Sequence, residues 1–197
     1  MPGLGPSKCL SNRYIRKMLS FADAGEQDVF YDVGCGAGQL CVIAAKEFHV
    51  KRAIGIDYHK ARVRMARKNV REAGVGDRVS IRPGYFEDKR LSDATIVYYG
   101  LTEGDDTVDV FEEKLQEGCK LVTLSQPFVG IIPTRVDYPF YLSVIPFKRA
   151  KTIEEWVRAV LFRAGGYDEL KEELRADPDY YTDLRTLPRL VKKRFQG

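Results

Sequence analysis

The stretch Val29-Phe30-Tyr31-Asp32-Val33-Gly34-Cys35-Gly36-Ala37-Gly38 constrains this chain more than any other. A run of β-favouring residues ends in an acid, and three alternate glycines follow. Beyond them, Gln39 to Lys46 is apolar enough to read as a buried helix. Strand, glycine turn and helix in that order form a cradle for a nucleotide-type ligand. The glycines let the backbone approach the ligand, and the helix N-terminus presents free N–H groups. An ordinary tight turn rarely needs three alternate glycines.

Two details decide which ligand. The dinucleotide fingerprint is G-x-G-x-x-G/A, whereas here the third glycine comes one position early, at Gly38. Asp32 stands two residues before the first glycine, where a carboxylate suits a cation and repels a pyrophosphate. S-adenosyl-L-methionine (SAM) carries an ammonium and a sulfonium. The segment resembles motif I of the class I SAM-dependent methyltransferases, D/E-x-G-x-G-x-G, and matches it in full. The resemblance implies a Rossmann-like α/β fold with a mostly parallel seven-stranded sheet. It also implies SAM as cofactor, held by Asp32, Gly34, Cys35, Gly36 and Gly38.

The bulk numbers agree with an enzyme of this kind. A chain of 197 residues is long enough for one domain with a full core. At 44% hydrophobic and 30% charged residues it reads as soluble and globular. No run of about 18 apolar residues exists, so no membrane span is expected. Residues 1–6 have neither the basic nor the apolar region of a signal peptide. Cys9, Cys35, Cys41 and Cys119 lack C-x-x-C spacing. That speaks against a metal site and fits the reduced thiols of a cytoplasmic protein.

Ser11 is predicted to cap a helix running to about Ala24, and is placed beside the cofactor. A second buried strand, Ala53–Asp57, ends in an acid nineteen residues past Gly38. A ribose-binding acid sits about 20 residues beyond the glycine turn in related folds. Asp57 is therefore the candidate ribose ligand, a role compatible with capping the next helix. Tyr58 follows it at the cofactor rim. Residues 59–73 read as a helix with an apolar stripe of Val63, Ala66, Val70 and Ala73. Its other face carries Lys60, Arg62, Arg64, Arg67, Lys68 and Arg71 against Glu72. This is either the solvated face of an ion-pair-rich, heat-adapted protein or a phosphate-tracking surface. On the second reading Lys60, Arg64 and Arg67 contact the substrate.

Val79–Arg82 reads as the third strand. By the resemblance, the loop after it covers the adenine, with Phe86 stacking, Tyr85 beside it, and Glu87 or Asp88 accepting from the amino group. The fourth strand, Ala94–Tyr99, ends next to the first in the methyltransferase topology. Tyr98, Tyr99 and Gly100 are thus the candidate catalytic residues. Strand alternation sends only one of the two tyrosines to each face. A helix at 105–115, a strand at Lys120–Ser125 and an antiparallel hairpin within Gln126–Pro146 complete a domain of residues 1–147. Residues 148–197 read as a helical extension. Thr152-Ile153-Glu154-Glu155 is a capping box, Gly165-Gly166 ends that helix, and a second helix spans 167–176. The basic end includes Lys192, Lys193 and Arg194, either touching substrate or belonging to a cap over a sheet edge.

From Ser11 to about Phe147 the chain resembles the archaeal protein-lysine methyltransferases. The resemblance lies in Arg16-Lys17-Met18-Leu19, Tyr31 to Gly38, Ala44-Ala45-Lys46, Gly55-Ile56-Asp57 and Leu101-Thr102. It implies a lysine acceptor. Three features depart from that group: Tyr98-Tyr99-Gly100, the arm at Gly5-Pro6-Ser7, and the basic extension. The tyrosine pair, the basic helix and the basic tail favour the amino group of an unpaired RNA base, with cytidine N4 of ribosomal RNA the first candidate. Such a base would stack on Tyr98 or Tyr99. Protein lysine is the alternative, and a catalytically inactive adaptor for RNA or protein is the third reading. Neither His49 nor His59 is expected to serve as a base. Cys35 lies inside the glycine loop and Cys119 at the amino end of its strand, so a cysteine mechanism on carbon is left only Cys9. A monomer or small homo-oligomer is expected.

Overall fold

The computed structural model describes residues 10–100, 107–125, 127–152, 155–156 and 159–160. In chain order these form α1 (Asn12–Phe21), β1 (Val29–Val33), α2 (Gln39–Glu47), β2 (Arg52–Asp57), α3 (Lys60–Glu72) and β3 (Val79–Pro83). They continue as β4 (Ile96–Tyr99), α4 (Thr107–Lys114), β5 (Lys120–Leu124), β6 (Arg135–Asp137) and β7 (Phe140–Val144). The sheet order is β3-β2-β1-β4-β5-β7-β6. The first five strands in that order are parallel, and β7 and β6 run antiparallel. The sheet is therefore mixed, with the antiparallel hairpin at one edge as the sequence leads one to expect.

All five residues of β1 are buried. A central parallel strand is covered on both faces, so it reads as an unbroken apolar run rather than an alternation. The alternation reappears in which core each side chain enters. Phe30 and Tyr98 join the core that α1, α2 and α3 cover with Ile15, Met18, Ile43, Val63 and Val70. Tyr31 and Tyr99 join the opposite core, with Ile54, Phe86, Phe111, Leu121 and Phe147. Period-two geometry separates neighbouring residues in this way.

Ser11 does cap α1, its hydroxyl accepting from the Tyr14 N–H at 3.5 Å. The helix ends at Phe21, three residues before the sequence expectation. α4 begins at Thr107, and residues 101–106 before it lie outside the described residues. The chain past Phe147 stays on the sheet domain at first. Ile132 N–H donates to Lys148 O, Ala150 N–H donates to Gly130 O, and the buried Trp156 donates from Nε1 to Ile131 O. The capping box forms in part. Thr152 Oγ1 accepts from the Glu155 N–H at 3.1 Å, and the Glu155 carboxylate reaches back to the Lys151 N–H. Residues 161–197, with the expected second helix and Lys192, Lys193 and Arg194, lie outside the described residues. No helix among the described residues is long and apolar enough to cross a membrane.

Candidate functional site

Parallel strands bring their carboxyl ends to one edge, and β1 lies between β2 and β4, where the strand order reverses. In open α/β sheets that crevice is where ligands bind. The glycine loop leaves β1 there. Its shape is fixed by backbone bonds: the N–H groups of Gly34 and Cys35 both donate to Ile56 O, at 2.8 and 3.0 Å, and Gly38 N–H donates to Cys35 O. Gly34, Gly36 and Gly38 all hold positive φ, at 82°, 52° and 76°. Only glycine adopts that region without strain. Nothing lies within 4 Å of where a Gly36 Cβ would project. The loop therefore leaves a recess beside Gly36.

Two carboxylates line this edge, and both are buried: Asp32 is 2% exposed and Asp57 is 3%. Asp57, at the tip of β2, accepts from the Gly36 N–H through Oδ2 at 2.9 Å and from the His59 N–H through Oδ1 at 2.8 Å. It ties the glycine loop to the turn entering α3. His59 is the N-cap residue, so Asp57 acts from two residues before the cap position. Asp32 Oδ2 is buried with no hydrogen-bond partner among the described residues. Burial pushes the Asp32 carboxyl up to about 7, and the nearby Asp57 charge adds to the effect. An unpartnered buried carboxylate is costly unless a cation completes it. The recess and the orphaned oxygen fit the amino-acid end of SAM, which brings an ammonium.

Cys35 is buried, and its Sγ fills the space over Gly55. A Cβ on Gly55 would lie 2.8 Å from that sulfur and 2.9 Å from Ile81 Cδ1. Desolvation, then the charges of Asp32 and Asp57, holds its thiol protonated far above the working range. Cys35 shapes the loop and is no nucleophile. Asn69 has no counterpart in the sequence reading. From α3 its Nδ2 donates to Ala37 O at 3.0 Å, so a second side chain besides Asp57 braces the loop from behind. An amide between two arginine-rich turns carries no motif, and only the fold brings it to Ala37.

Two sequence expectations need correction. Phe86 was expected to stack on the adenine. It is 6% exposed and packs in the core, 5.1 Å from the Phe111 ring and 5.9 Å from Tyr99. The 3-10 turn at Phe86–Asp88 points it inward, where a large apolar ring gains most from burial. The open rings at this rim are Tyr58 and Tyr85, 58% and 60% exposed, stacked at 5.2 Å with planes 8° apart. Tyr98 and Tyr99, one or the other of which was expected to stack on an acceptor base, are both buried, one in each core. Tyr98 folds back over Gly100, where a Cβ would lie 2.7 Å from its hydroxyl. Burial, then the Asp32 charge, keeps that hydroxyl protonated. Arg67, expected to contact substrate, is exposed and anchored, donating to Ile81 O from Nε and an Nη. Lys60 and Arg64 remain exposed on α3.

Comparison with known proteins agrees with this geometry. The family described as ANTKMT methyltransferase domain matches residues 32–135. A protein-lysine N-methyltransferase of Saccharolobus islandicus (strain REY15A) is 35% identical over 143 residues, 68% of this chain and 89% of that one. A ribosomal protein L11 methyltransferase of Alkaliphilus metalliredigens is 25% identical over 74% of this chain, but only 45% of its own length is covered. Among solved structures, an RNA methyltransferase from Salinibacter ruber with bound S-adenosyl-L-homocysteine superposes with a TM-score of 0.66 at 30% identity. That match covers 74% of this chain and 98% of the other. The chain belongs to the ANTKMT methyltransferase domain family and is a class I SAM-dependent methyltransferase.

Proposed function

We propose that this enzyme methylates the ε-amino group of lysine in a protein. SAM supplies an electrophilic methyl group on a sulfonium. The remaining work is positioning, which can contribute roughly 7–11 kcal/mol to such a step. In this reading Asp32 takes the cofactor's ammonium, and the loop at Gly34, Cys35, Gly36 and Gly38 lies along its methionine portion. Asp57 bonds the ribose with the lone pairs left by its two backbone donors. Tyr58 and Tyr85 flank the adenine, with Ser11 at the rim of the site. The acceptor approaches by Gly100, at the tip of β4.

The observation that carries the lysine reading is the state of that tip. Both tyrosines are packed inside, so among the described residues β4 ends without an exposed ring on which a base could stack. A lysine side chain is slender and needs no such platform. It does need its proton removed, from a reference pKa of about 10.4. The rings of Tyr99, Phe111 and Phe128 back the tip, and apolar surroundings favour the neutral amine. The 35% identity to a lysine enzyme over 89% of that enzyme's length supports the same choice.

An amino group of an RNA base, cytidine N4 included, is the second reading. The Salinibacter relative and the basic face of α3 favour it. One assay separates the two. Labelled SAM is incubated with the protein and an extract from cells lacking its gene, and the products are split with protease or RNase. Label lost to protease, with methyl-lysine found by mass spectrometry, is expected. Label lost to RNase alone would overturn the lysine reading.

A further inference from the structure

One surface has no part in the chemistry above. Six of the thirteen residues of α3 are Lys or Arg and one is acidic, a surplus of five. The whole chain carries +4, so everything outside this helix amounts to −1. The helix alone thus carries a surplus larger than that of the whole chain, and its distribution on the helix is narrow. At 100° per residue, Lys60, Arg64, Lys68 and Arg71 fall within an arc of about 80° and run about 16 Å along the axis. All four are exposed. The buried stripe of Val63, Ala66 and Val70 occupies the far side of the helix.

An ion-pair network does not account for this face. Among the described residues, Lys68 with Glu72 at 3.7 Å is the one salt bridge on the helix. No carboxylate lies within 4 Å of Lys60, Arg64 or Arg71 in the same set. The protein's other pairs are elsewhere, such as Arg16 with Glu47, Arg52 with Asp93 and Arg149 with Glu112. Four neighbouring cations that mostly lack partners repel one another, which an anionic partner relieves. The one α3 cation bound to the fold, Arg67, sits beside the stripe and reaches Ile81 O on β3, the outer strand of the sheet.

We infer that the stripe Lys60–Arg64–Lys68–Arg71 is a docking surface for the phosphate backbone of a nucleic acid. Cations spaced about 5–6 Å apart over about 16 Å can each take a phosphate of a repeating anionic chain, the kind of contact that positions a nucleic acid without reading its sequence. The site is separate from the acceptor end. α3 packs on β2 and β3, whereas β4, β5 and β7 form the other half of the sheet. The inference holds whichever macromolecule receives the methyl group.

The test measures binding of the full-length protein to a fluorescent single-stranded RNA across a salt series. It compares the wild type with Lys60→Gln/Arg64→Gln/Lys68→Gln/Arg71→Gln. SAM affinity and circular dichroism, expected unchanged, establish that the variant is folded. Each phosphate contact contributes about −0.7 to the slope of log K against log salt for a single strand. The variant is expected to lose about 3 units of slope and to bind at least tenfold more weakly at low salt. An unchanged slope, or a wild-type protein with no measurable affinity for the RNA at low salt, would overturn the inference. So would equal displacement by poly-L-glutamate at matched charge, which would make the stripe a site for acidic protein. Neither result bears on the lysine reading, which the methyl-transfer assay decides separately.

Discussion

Asp32 and Asp57 are the same residue at the tips of adjacent strands, equally buried, and the structure treats them in opposite ways. Asp57 is completed by two backbone N–H groups, one from the glycine loop and one from the turn into α3. Asp32 keeps one oxygen without a partner among the described residues, and its carboxyl is raised to about 7. A satisfied buried carboxylate holds the structure together, and an unsatisfied one weakens it. The fold thus separates two tasks. Asp57 organises the cradle before any ligand arrives, and Asp32 is held at a cost for the ligand to relieve. The two should differ in the sign of their effect on stability while agreeing in their effect on binding.

The largest expected effect follows from Asp32→Asn. Removing one partner of a buried charge pair costs about 3–5 kcal/mol, so SAM affinity should fall by roughly two to nearly four orders of magnitude. Stability should move the other way. A carboxyl raised above its unfolded value favours the folded state most at low pH. That contribution is lost as pH rises from about 4 through 7, and the cost is fully present above 7. At pH 8 the variant should melt several degrees higher than wild type, at about 2–4 °C per kcal/mol for a chain of this size. The gap should close toward pH 4. Calorimetric titration and thermal melts read both effects, and a variant that melts lower at pH 8 breaks the comparison.

Asp57→Ala is the counterpart. Two backbone donors lose their acceptor, and the ribose loses charge-assisted bonds worth about 1.5–3 kcal/mol. SAM affinity should drop roughly 10- to 100-fold, and here the melting temperature should drop too. If Asp57→Ala weakened binding yet left Tm unchanged, the bonds to Gly36 and His59 would not be bracing the loop.

How the two acids differ was only half legible in the sequence. Their positions were: D-x-G-x-G-x-G and the nineteen-residue spacing to Asp57 follow from what a glycine loop must do for its ligand. That β4 lies beside β1 came with the family topology that the resemblance implies, and the antiparallel hairpin followed from proline and alternating apolar residues within 126–146. What each carboxylate bonds to was not legible, because Gly36 N–H and His59 N–H reach Asp57 only once β1 and β2 pair. The aromatics misled for a related reason. Tyr98, Tyr99 and Phe86 sit in positions that alternation can describe but not assign, since both faces of this sheet are covered. A ring beside a binding crevice and a ring in the core then share one sequence signature, and only packing tells them apart, Phe86 and Tyr99 against Phe111, and Tyr98 in the opposite core.

The titration of Asp32 gives an intermediate effect that needs no mutation. The cofactor's ammonium requires the ionised carboxylate, so binding below the Asp32 pKa must first release a proton. Apparent affinity should be flat above about pH 7.5 and weaken about tenfold by pH 6, and Asp32→Asn should flatten the profile. A wild-type profile that stays flat down to pH 5.5 would mean that Asp32 is already ionised in the free protein, with a partner that satisfies it.

The smallest effect tests whether Asp57 braces the loop alone. Asn69 reaches the same loop from α3, donating to Ala37 O at the residue before Gly38. It touches no ligand in the proposed arrangement, so it is a positioning residue. Asn69→Ala removes one neutral hydrogen bond, worth about 1 kcal/mol, and should weaken SAM binding about three- to fivefold. Asn69→Asp keeps the size but turns an acceptor toward a carbonyl, and should be worse than alanine. A purely structural role would lower Tm by the same amount in both variants and leave SAM affinity alone. A brace on the loop predicts that affinity follows the order Asn, Ala, Asp while methyl transfer at saturating SAM is unchanged. Additivity with Asp57→Ala then decides how the loop is held. Summed losses mean two independent supports. A double variant no worse than Asp57→Ala means that Asn69 acts only on a loop that Asp57 has already set in place.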